Sequence, residues 1–530
     1  MEKRSSFLTF TILLSACFSS WANQHWGERP PNILFIAIDD LKSIGSVFAE
    51  DPGNFLQHVY PDKALRAEVA KRMTPNIQRL ADEGITFMNA YCAAPACNPS
   101  RAALMTGIRP HKSGLTTNFG GIFFRNYEYN GVRPLADAIT LPEHLIANGW
   151  YAASTGKIFH STSDYKNSDG PRSWTDWTNV GGNAGSKTAS AWKAGGLDWG
   201  QEGDDSATYH QLNDYQKADF MARVLENGQA TDQGTTFKVS TEQPFFLALG
   251  IFRPHLPFYA TKDLIDLFPT EEMNITRELL EAFIQDADDV PEMAFSFSGL
   301  ARNKAGKPVL GNDRFTKVLA HGLTKQPEDG DLYGWKDMLR HYFASCAIAD
   351  RAVGRVLDGL ENSVFKNNTL VILWSDHGYH LGEKLHVSKF AFWDDAAQVN
   401  FFIKDPRNPQ SFGQRCYRPV SLIDIYPTVM KAAGLDLPDD RITGHDITPL
   451  LQDPNAKWDI PAHSTYRNVS NNMIRTESHK LIQYEDDSRE IYDLVSDPEE
   501  FQNLAGKKQH PRTESALANT HKKALQEGEY

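Results

Sequence analysis

Pro31-Asn32-Ile33-Leu34-Phe35-Ile36-Ala37-Ile38-Asp39-Asp40 is an apolar run of strand length that ends in two adjacent carboxylates. Its near-continuous apolarity predicts a central parallel strand, buried on both faces. In open α/β sheets, ligands bind at the carboxyl ends of the strands. Two Asp side chains placed there repel each other unless a cation or a positive side chain offsets them, so Asp39 and Asp40 read as metal ligands. Asn368-Thr369-Leu370-Val371-Ile372-Leu373-Trp374-Ser375-Asp376-His377-Gly378 repeats the pattern, an apolar strand followed at once by Asp376 and His377.

The flanking segments supply a layered fold. Thr74-Pro75-Asn76-Ile77-Gln78-Arg79-Leu80 with Gly84 has an N-cap residue, a first-turn proline and a terminating glycine, which predicts a short helix feeding a strand over Ile85 to Ala90. Leu141-Pro142 opens a helix before a strand over Tyr151 to Thr155. Phe245 to Ile251 reads as a buried strand, and Ile348, Ala352, Val356 and Leu360 mark one face of the helix preceding the Asp376 strand. Such alternation predicts the α/β class, with a large, mostly parallel sheet sandwiched by helices. Segments 51–71, 161–205 and about 286–329 read as long loops or inserts, which at a ligand edge commonly set specificity. Trp174, Trp177, Trp192 and Trp199 fall in the second of these, either to stack on sugar rings or to anchor the insert. Leu422 to Ala433 is amphipathic. Met473–Thr476 and Lys480–Tyr484 read as hairpin strands of a smaller C-terminal α+β subdomain with a short antiparallel sheet, followed by a polar helical or frayed tail.

Cys97-Asn98-Pro99-Ser100-Arg101-Ala102-Ala103-Leu104-Met105-Thr106-Gly107 places a cysteine at a helix start. Pro99 suits the first turn, Gly107 suits the position past the end, and the unpaired amides and dipole at the start favour negative charge. A chain presents a nucleophile to an anion at such a place. Together with the two carboxylate-ended strands, this stretch resembles the signature of the formylglycine-dependent sulfatases of the alkaline-phosphatase superfamily, Cys-x-Pro-Ser-Arg followed by x-x-x-Leu-Thr-Gly. Met105 stands where the family has Leu, a volume-conserving change. Gly156-Lys157-Ile158-Phe159-His160, Arg253-Pro254-His255-Leu256-Pro257-Phe258 and Gly382-Glu383-Lys384 with Lys389 resemble the iduronate-2-sulfatase-like branch and its bacterial polysaccharide-desulfating relatives. The resemblance runs from Pro31 to about Leu504.

Length and composition fit that class. The chain has 530 residues with 41% hydrophobic content, enough for one large α/β domain and a smaller appendage. Met1-Glu2-Lys3-Arg4 followed by Phe7 to Ala16 reads as a signal peptide, with Ser20-Trp21-Ala22 as a cleavage site. Its apolar core is too short to serve as a membrane span in the mature chain. Leu14-Ser15-Ala16-Cys17 offers the alternative of lipoprotein cleavage and lipid anchoring through Cys17. Either route predicts an exported protein, periplasmic or secreted. The division expected is 1–22 signal peptide, 23–452 catalytic domain and 453–530 C-terminal subdomain. Removing the signal leaves Cys92, Cys97, Cys346 and Cys416, too few for a disulfide scaffold, so the core must hold the fold. If Cys97 is oxidised, at most one bridge can form. A net charge of −13 disfavours a general polyanion-binding surface, and no basic run suggests nucleic acid.

The resemblance implies a sulfuric ester hydrolase acting on a sulfated saccharide. It implies that a formylglycine-generating maturation enzyme converts Cys97 to 3-oxoalanine (formylglycine), whose hydrate attacks sulfur. One calcium ion would be held by Asp39, Asp40, Asp376, the hydrate at Cys97 and His377, the last in a position where many relatives have Asn. Lys157 and Arg101 would hold the hydrate and Lys389 would neutralise sulfate oxygens. His160 would be the base that lets the sulfated hemiacetal expel sulfate, and His255, with Lys389 as rival, would protonate the leaving alcohol. His380 and His386 are expected either to bind a substrate carboxylate or simply to be exposed. Two other functions compete: a phosphate mono- or diester hydrolase of the same superfamily, and a silent glycan-binding protein.

Overall fold

Apolar residues on the two sides of one strand build two separate cores. Leu34, Ile36 and Ile38 belong to one hydrophobic cluster, and Ile33, Phe35 and Ala37 to another. This is the period-two alternation of a strand buried on both faces. The computed structural model describes residues 29–526 apart from 120–121, 161–169, 181–191, 195–196, 299–300, 304, 310–313, 326–331 and 508–510. The signal segment expected over 1–22, with Cys17, lies outside the described residues.

The main sheet has eight strands, β1 (Asn32–Asp39), β2 (Ile85–Phe87), β3 (Tyr151–Gly156), β4 (Asp176–Val180), β5 (Phe245–Pro254), β6 (Thr369–Ser375), β7 (Phe401–Lys404) and β8 (Gln414–Cys416). They lie in the order β8-β2-β7-β6-β1-β5-β3-β4. β1 pairs in parallel with β5 and β6, so that Ile36 lies between Leu249 and Leu373. Of these eight strands only β7 runs against the rest, antiparallel to both β6 and β2. The mostly parallel sheet expected from the sequence is therefore present.

The principal helices are α1 (Lys63–Met73), α2 (Pro75–Asp82), α3 (Cys97–Thr106), α4 (Leu141–Ala147), α5 (Asn213–Asn227), α6 (Arg314–Lys325), α7 (Leu332–Glu361), α8 (Ile425–Ala433) and α9 (Pro511–Gln526). Val69, Leu80, Met221 and Ile348 bring α1, α2, α5 and α7 to one face of the sheet. Leu104, Leu145 and Val429 bring α3, α4 and α8 to the other. The helix at Pro75 forms as its proline predicts, but Thr74 does not cap it with its side chain. Asp350 of α7 does so instead, its Oδ1 accepting from the amides of Asn76 and Ile77, both at 2.8 Å.

Four strands, β9 (Ala462–Thr465), β10 (Asn472–Arg475), β11 (His479–Gln483) and β12 (Arg489–Asp493), form a sequential antiparallel sheet. Ile474, Leu481 and Ile491 on one face pack with Leu517 and Ala524 of α9. Met473, Ile482 and Tyr492 on the other meet Phe392 and Trp393. This is the small C-terminal α+β part, and the tail is helical.

The expected loops differ from what forms. Segment 51–71 contains the short helix Leu56–Val59 and most of α1, which Asp62 caps by accepting from the amide of Leu65 at 2.8 Å. Within 286–329, α6 and the helix Glu292–Ser298 form. Within 161–205, β4 and the strands Trp192–Ala194 and Leu197–Gln201 form. Trp174 and Trp199 are buried and Trp177 packs on the core, which makes these three anchors and not sugar platforms. The Trp192 side chain lies outside the described residues. Cys92, Cys97, Cys346 and Cys416 are all buried and free, so no bridge forms. Among the described residues no helix is long and apolar enough to cross a membrane.

Candidate active site at the carboxyl edge of the sheet

Because β6, β1, β5 and β3 are parallel neighbours, the residues that follow each of them emerge on one edge. Asp376 and His377 follow β6, Asp40 follows β1, His255 follows β5, and Lys157 and His160 follow β3. Asp40 has φ of 62°, a left-handed conformation that Asp tolerates better than most residues, and its amide donates to Asp376 Oδ1 at 3.1 Å. The turn after β3 depends on paired glycines. Gly156 has φ of +80°, and a Cβ on it would stand 1.9 Å from the carbonyl oxygen of Gly250, while a Cβ on Gly250 would stand 2.2 Å from the Lys157 nitrogen. No side chain fits at either place, and this close approach turns Lys157 back over Asp39.

Helix α3 points its first turn at the same edge. Ala96 precedes it without a side-chain cap, and Gly107 ends it at φ of 72°, donating to the Ala103 carbonyl at 2.8 Å. Ser100 Oγ donates to the Asp376 carbonyl at 2.7 Å, tying the helix to the β6 turn. Cys97 is 0% exposed. Its Sγ lies 2.9 Å from Lys389 Nζ, 3.2 Å from His377 Nε2 and 4.0 Å from Asp40 Oδ1. His160 is a further neighbour of this sulfur and favours its anionic form.

Three carboxylates stand around that atom, each with a cationic partner. Arg101, fully buried, reaches Asp376 Oδ2 through Nε at 2.8 Å and Asp39 Oδ1 through Nη2 at 3.1 Å. Its Nη1 donates to the carbonyls of Lys157 and Ile158 at 2.6 and 3.0 Å. It is thus a strut between two ligand strands and the β3 turn. Lys157 pairs with Asp39, and Lys389 Nζ reaches Asp40 Oδ1 at 2.7 Å. Candidate ligand atoms of Asp39, Asp40, Cys97 and His255 lie within 4.8 Å of one another, and so do those of Asp39, Cys97, Asp376 and His377. The five metal ligands expected from the sequence therefore fall into two overlapping groups that share Asp39 and Cys97. His377 Nδ1 bonds the Gly378 carbonyl at 2.9 Å, and since a carbonyl only accepts, Nδ1 bears the hydrogen. That leaves Nε2 to face the carboxylates, as in a metal-binding imidazole.

The electrostatics favour an anion at position 97. Burial alone would push the Cys97 thiol up, but Lys157, Lys389 and His377 hold it well below its ordinary value. Burial also opposes ionisation of Asp39, and Lys157 together with Arg101 overcomes it. Asp376 shares Arg101 but has no lysine, and there burial prevails and raises the carboxyl. His377 is raised to about 9 by Asp376, Cys97 and Asp40 against burial, so a cation and a proton compete for the same Nε2. Burial depresses His160, leaving a neutral ring. His255 Nδ1 bonds the Leu256 carbonyl at 2.7 Å, which by the same reasoning directs its Nε2 toward the centre.

The centre opens on a cleft of about 330 Å³ whose walls include Asp40, His255 and Lys389. Sequence reasoning missed Asn118, Asp198, Arg314, Tyr379 and Ser388, which line the same cleft. Tyr379 directly follows the quoted stretch that ends at Gly378 and Ser388 directly precedes Lys389, whereas Arg314 lies in a segment with no readable pattern. Neither expectation for His380 and His386 holds. His380 is 0% exposed, with its ring against His386 and Trp393, and His386 Nε2 bonds the Lys389 carbonyl at 2.7 Å. Both rings pack beneath the Lys389 loop and neither lines the cleft.

Comparison with known proteins agrees with this arrangement. Residues 31–435 match the family model described as Sulfatase, and residues 382–527 match that described as N-sulphoglucosamine sulphohydrolase, C-terminal. A sulfatase of Formosa agariphila is 30% identical over 95% of this chain and 89% of its own length. The iduronate 2-sulfatase of Mus musculus is 27% identical over 81% of this chain and 74% of its own. Two solved structures share the fold. One, a complex with its substrate D-glucosamine-2-N,6-O-disulfate, has a TM-score of 0.62 at 21% identity, covering 94% of this chain and 98% of that one. The other, a phosphonate monoester hydrolase of Agrobacterium radiobacter, has a TM-score of 0.66 at 18% identity, covering 94% and 96%.

Proposed function

The chain belongs to the sulfatase family and is a sulfuric ester hydrolase, and from that premise we propose that it removes sulfate from a sugar unit of a sulfated polysaccharide or its oligosaccharides. The observation that supports this reading best is the position of Cys97. Its side chain meets a lysine, two imidazoles and three carboxylates at a single buried point that opens on a cleft.

The donor set fits a hard divalent cation. Asp39 offers a carboxylate oxygen at ligand spacing to Asp40 on one side and to Asp376 on the other, and His377 offers a lone pair on Nε2. In our reading these four residues hold calcium, together with the side chain at position 97 after its conversion to formylglycine by a maturation enzyme. When bound, the cation would lower the pKa of the attacking hydroxyl and polarise the sulfate.

The chain's own residues do the rest. Lys389 faces the bound sulfate from the cleft wall and offsets its charge. Lys157 holds Asp39 and brings a second ammonium close to position 97. Arg101 braces Asp39 against Asp376, which keeps the ligand set in place before substrate arrives. His160, neutral because it is buried, accepts a proton at position 97, and His255, its Nδ1–H held by the Leu256 carbonyl, acts as an imidazolium that gives the leaving alcohol a proton from Nε2. We also assign residues 1–22 to export, 23–452 to the catalytic domain and 453–530 to the C-terminal subdomain.

The test is ion chromatography after incubating the protein, co-expressed with a formylglycine-generating enzyme, with sulfated uronate, galactose and hexosamine oligosaccharides and with phosphorylated controls. Sulfate release from one sugar class, lost by about 10⁴-fold or more in Cys97→Ala with the fold intact, is the expected result. Release of phosphate in preference to sulfate, or retained turnover in C97A, would overturn it.

A further inference from the structure

Beyond Lys389, the cleft wall carries a second positive side chain. Arg314, the first residue of α6, lines the same cleft as Asp40, His255 and Lys389. Its Nη1 donates to Ser388 Oγ at 3.0 Å, and Ser388 is the buried residue immediately before Lys389. The two cations therefore line one cleft, linked through the bond from Arg314 to the residue before Lys389.

Their circumstances differ. Arg101, Lys157 and Lys389 each pair with a carboxylate of the reaction centre. Arg314 has no carboxylate partner among the described residues, and of a guanidinium's five N–H donors one goes to Ser388. An arginine that is half-buried, tethered by a neutral hydroxyl and left without a counter-charge retains a fork of donors suited to an incoming carboxylate or sulfate. Asp198, also on the cleft wall, cannot bind such a group and is suited to accept hydrogen bonds from sugar hydroxyls.

We infer that Arg314, held by Ser388, forms an anion subsite next to the sulfate position, and that it selects sugars bearing a second anionic group, a carboxylate or another sulfate. The inference rests on the sulfatase reading above. It makes Arg314 a specificity residue and leaves the sulfur chemistry to the residues around Cys97.

Two matched pairs of substrates test it: N-acetylglucosamine 6-sulfate against glucosamine 2-N,6-O-disulfate, and a hexose 2-sulfate against the corresponding hexuronate 2-sulfate. The full-length matured enzyme should prefer the charged member of a pair. Arg314→Gln should lower kcat/KM on that member by about 10- to 100-fold, mostly through KM, and change the neutral member by no more than about twofold. The favoured pair tells a second sulfate from a carboxylate. Sulfate release with no preference for the charged member, or an equal effect of R314Q on both members, overturns the subsite and leaves the hydrolase reading intact. Release from none of the four strikes at the hydrolase reading on sugars. Isothermal titration with the same four then decides the subsite: tighter binding of charged members by wild type than by R314Q upholds it, and equal binding overturns it.

Discussion

Around Cys97 three carboxylates stand on the rim of a point they share, whereas around Lys42 the carboxylates close directly on an ammonium. Lys42 Nζ reaches Asp395 and, at 2.9 Å, Glu383. Nearby, Lys480 sits between Asp394 and Glu500, and Lys384 reaches Asp286 Oδ1 and the Glu500 carbonyl, both at 2.6 Å. Both regions are buried, and both contain ligand atoms at metal spacing, since His380, Glu383 and Asp395 also form such a group. At the second site the chain's own lysine fills the centre. At the first, the cations are shared out, Arg101 between Asp39 and Asp376, Lys157 on Asp39 and Lys389 between Asp40 and the Cys97 sulfur, so no one ammonium holds all three carboxylates. Ligand spacing therefore does not by itself make a metal site; what matters is how the chain's own cations are distributed over the ligands.

Removing Lys42 should break this contrast most visibly. Lys42→Met leaves Glu383 and Asp395 without their ammonium, and loss of one partner of a buried pair costs about 3–5 kcal/mol. Urea unfolding should show that loss while turnover of the folded enzyme is unchanged. A loss below about 1 kcal/mol would place these pairs with ordinary surface bridges. At the other region, calcium should stabilise the wild type by about 2.7 kcal/mol at a hundredfold excess over its dissociation constant. Asp376→Asn should abolish that increment, whatever its effect on the metal-free melting point. Equal calcium shifts in both proteins would mean that the cation binds elsewhere.

The smallest effect concerns a third place, where three imidazoles gather near arginines. His111 and His463 lie 4.8 Å apart near Arg109, and His521 of α9 adds to the field on both rings. Burial, reinforced by Arg109 and Lys112, pushes His111 down to about 3; burial and Arg489 push His521 down to about 4; His463 falls well below its usual value. Folded-state values below the unfolded value mean that the unfolded chain takes up protons first, so stability is lost as pH falls from about 6.5 toward 4. Each ring that stays neutral in the fold contributes a loss of up to about 2 kcal/mol at pH 5. Limited proteolysis should show α9 released on acidification, and His521→Leu should flatten the profile. A profile unaltered by that change would exclude the ring.

What could be read from sequence follows the same physics. β1, β6 and α3 announce themselves because their apolar runs, prolines and glycines are local signals, and the Cys97 motif marks the helix start that meets the carboxylates. Helix α1 was not legible, because half of the apolar residues from Lys63 to Met73 are alanines that mark no clear face and because it buries Arg66, which bonds Glu50 and the carbonyls of Tyr60 and Pro61. The cap that Asp350 gives α2 and the bond from Arg314 to Ser388 join residues 274 and 74 positions apart, and no window along the chain contains them. His380 misled for a related reason. A histidine in a short stretch between two glycines, Gly378 and Gly382, reads as exposed, but the hairpin His380–Leu381 with Val387–Ser388 folds it inward. The antiparallel direction of β7 likewise depends on its neighbours and not on its residues.

The complete burial of Cys97 sets an order in time. In the finished fold no second enzyme can close around that sulfur, so any protein that modifies it must meet the chain before the sheet edge forms. A sheet whose central strands come from residues hundreds of positions apart is slow to assemble, because distant segments must find each other first. Such a delay would give a modifying enzyme its interval, and a copy that folded early would close with its sulfur unaltered.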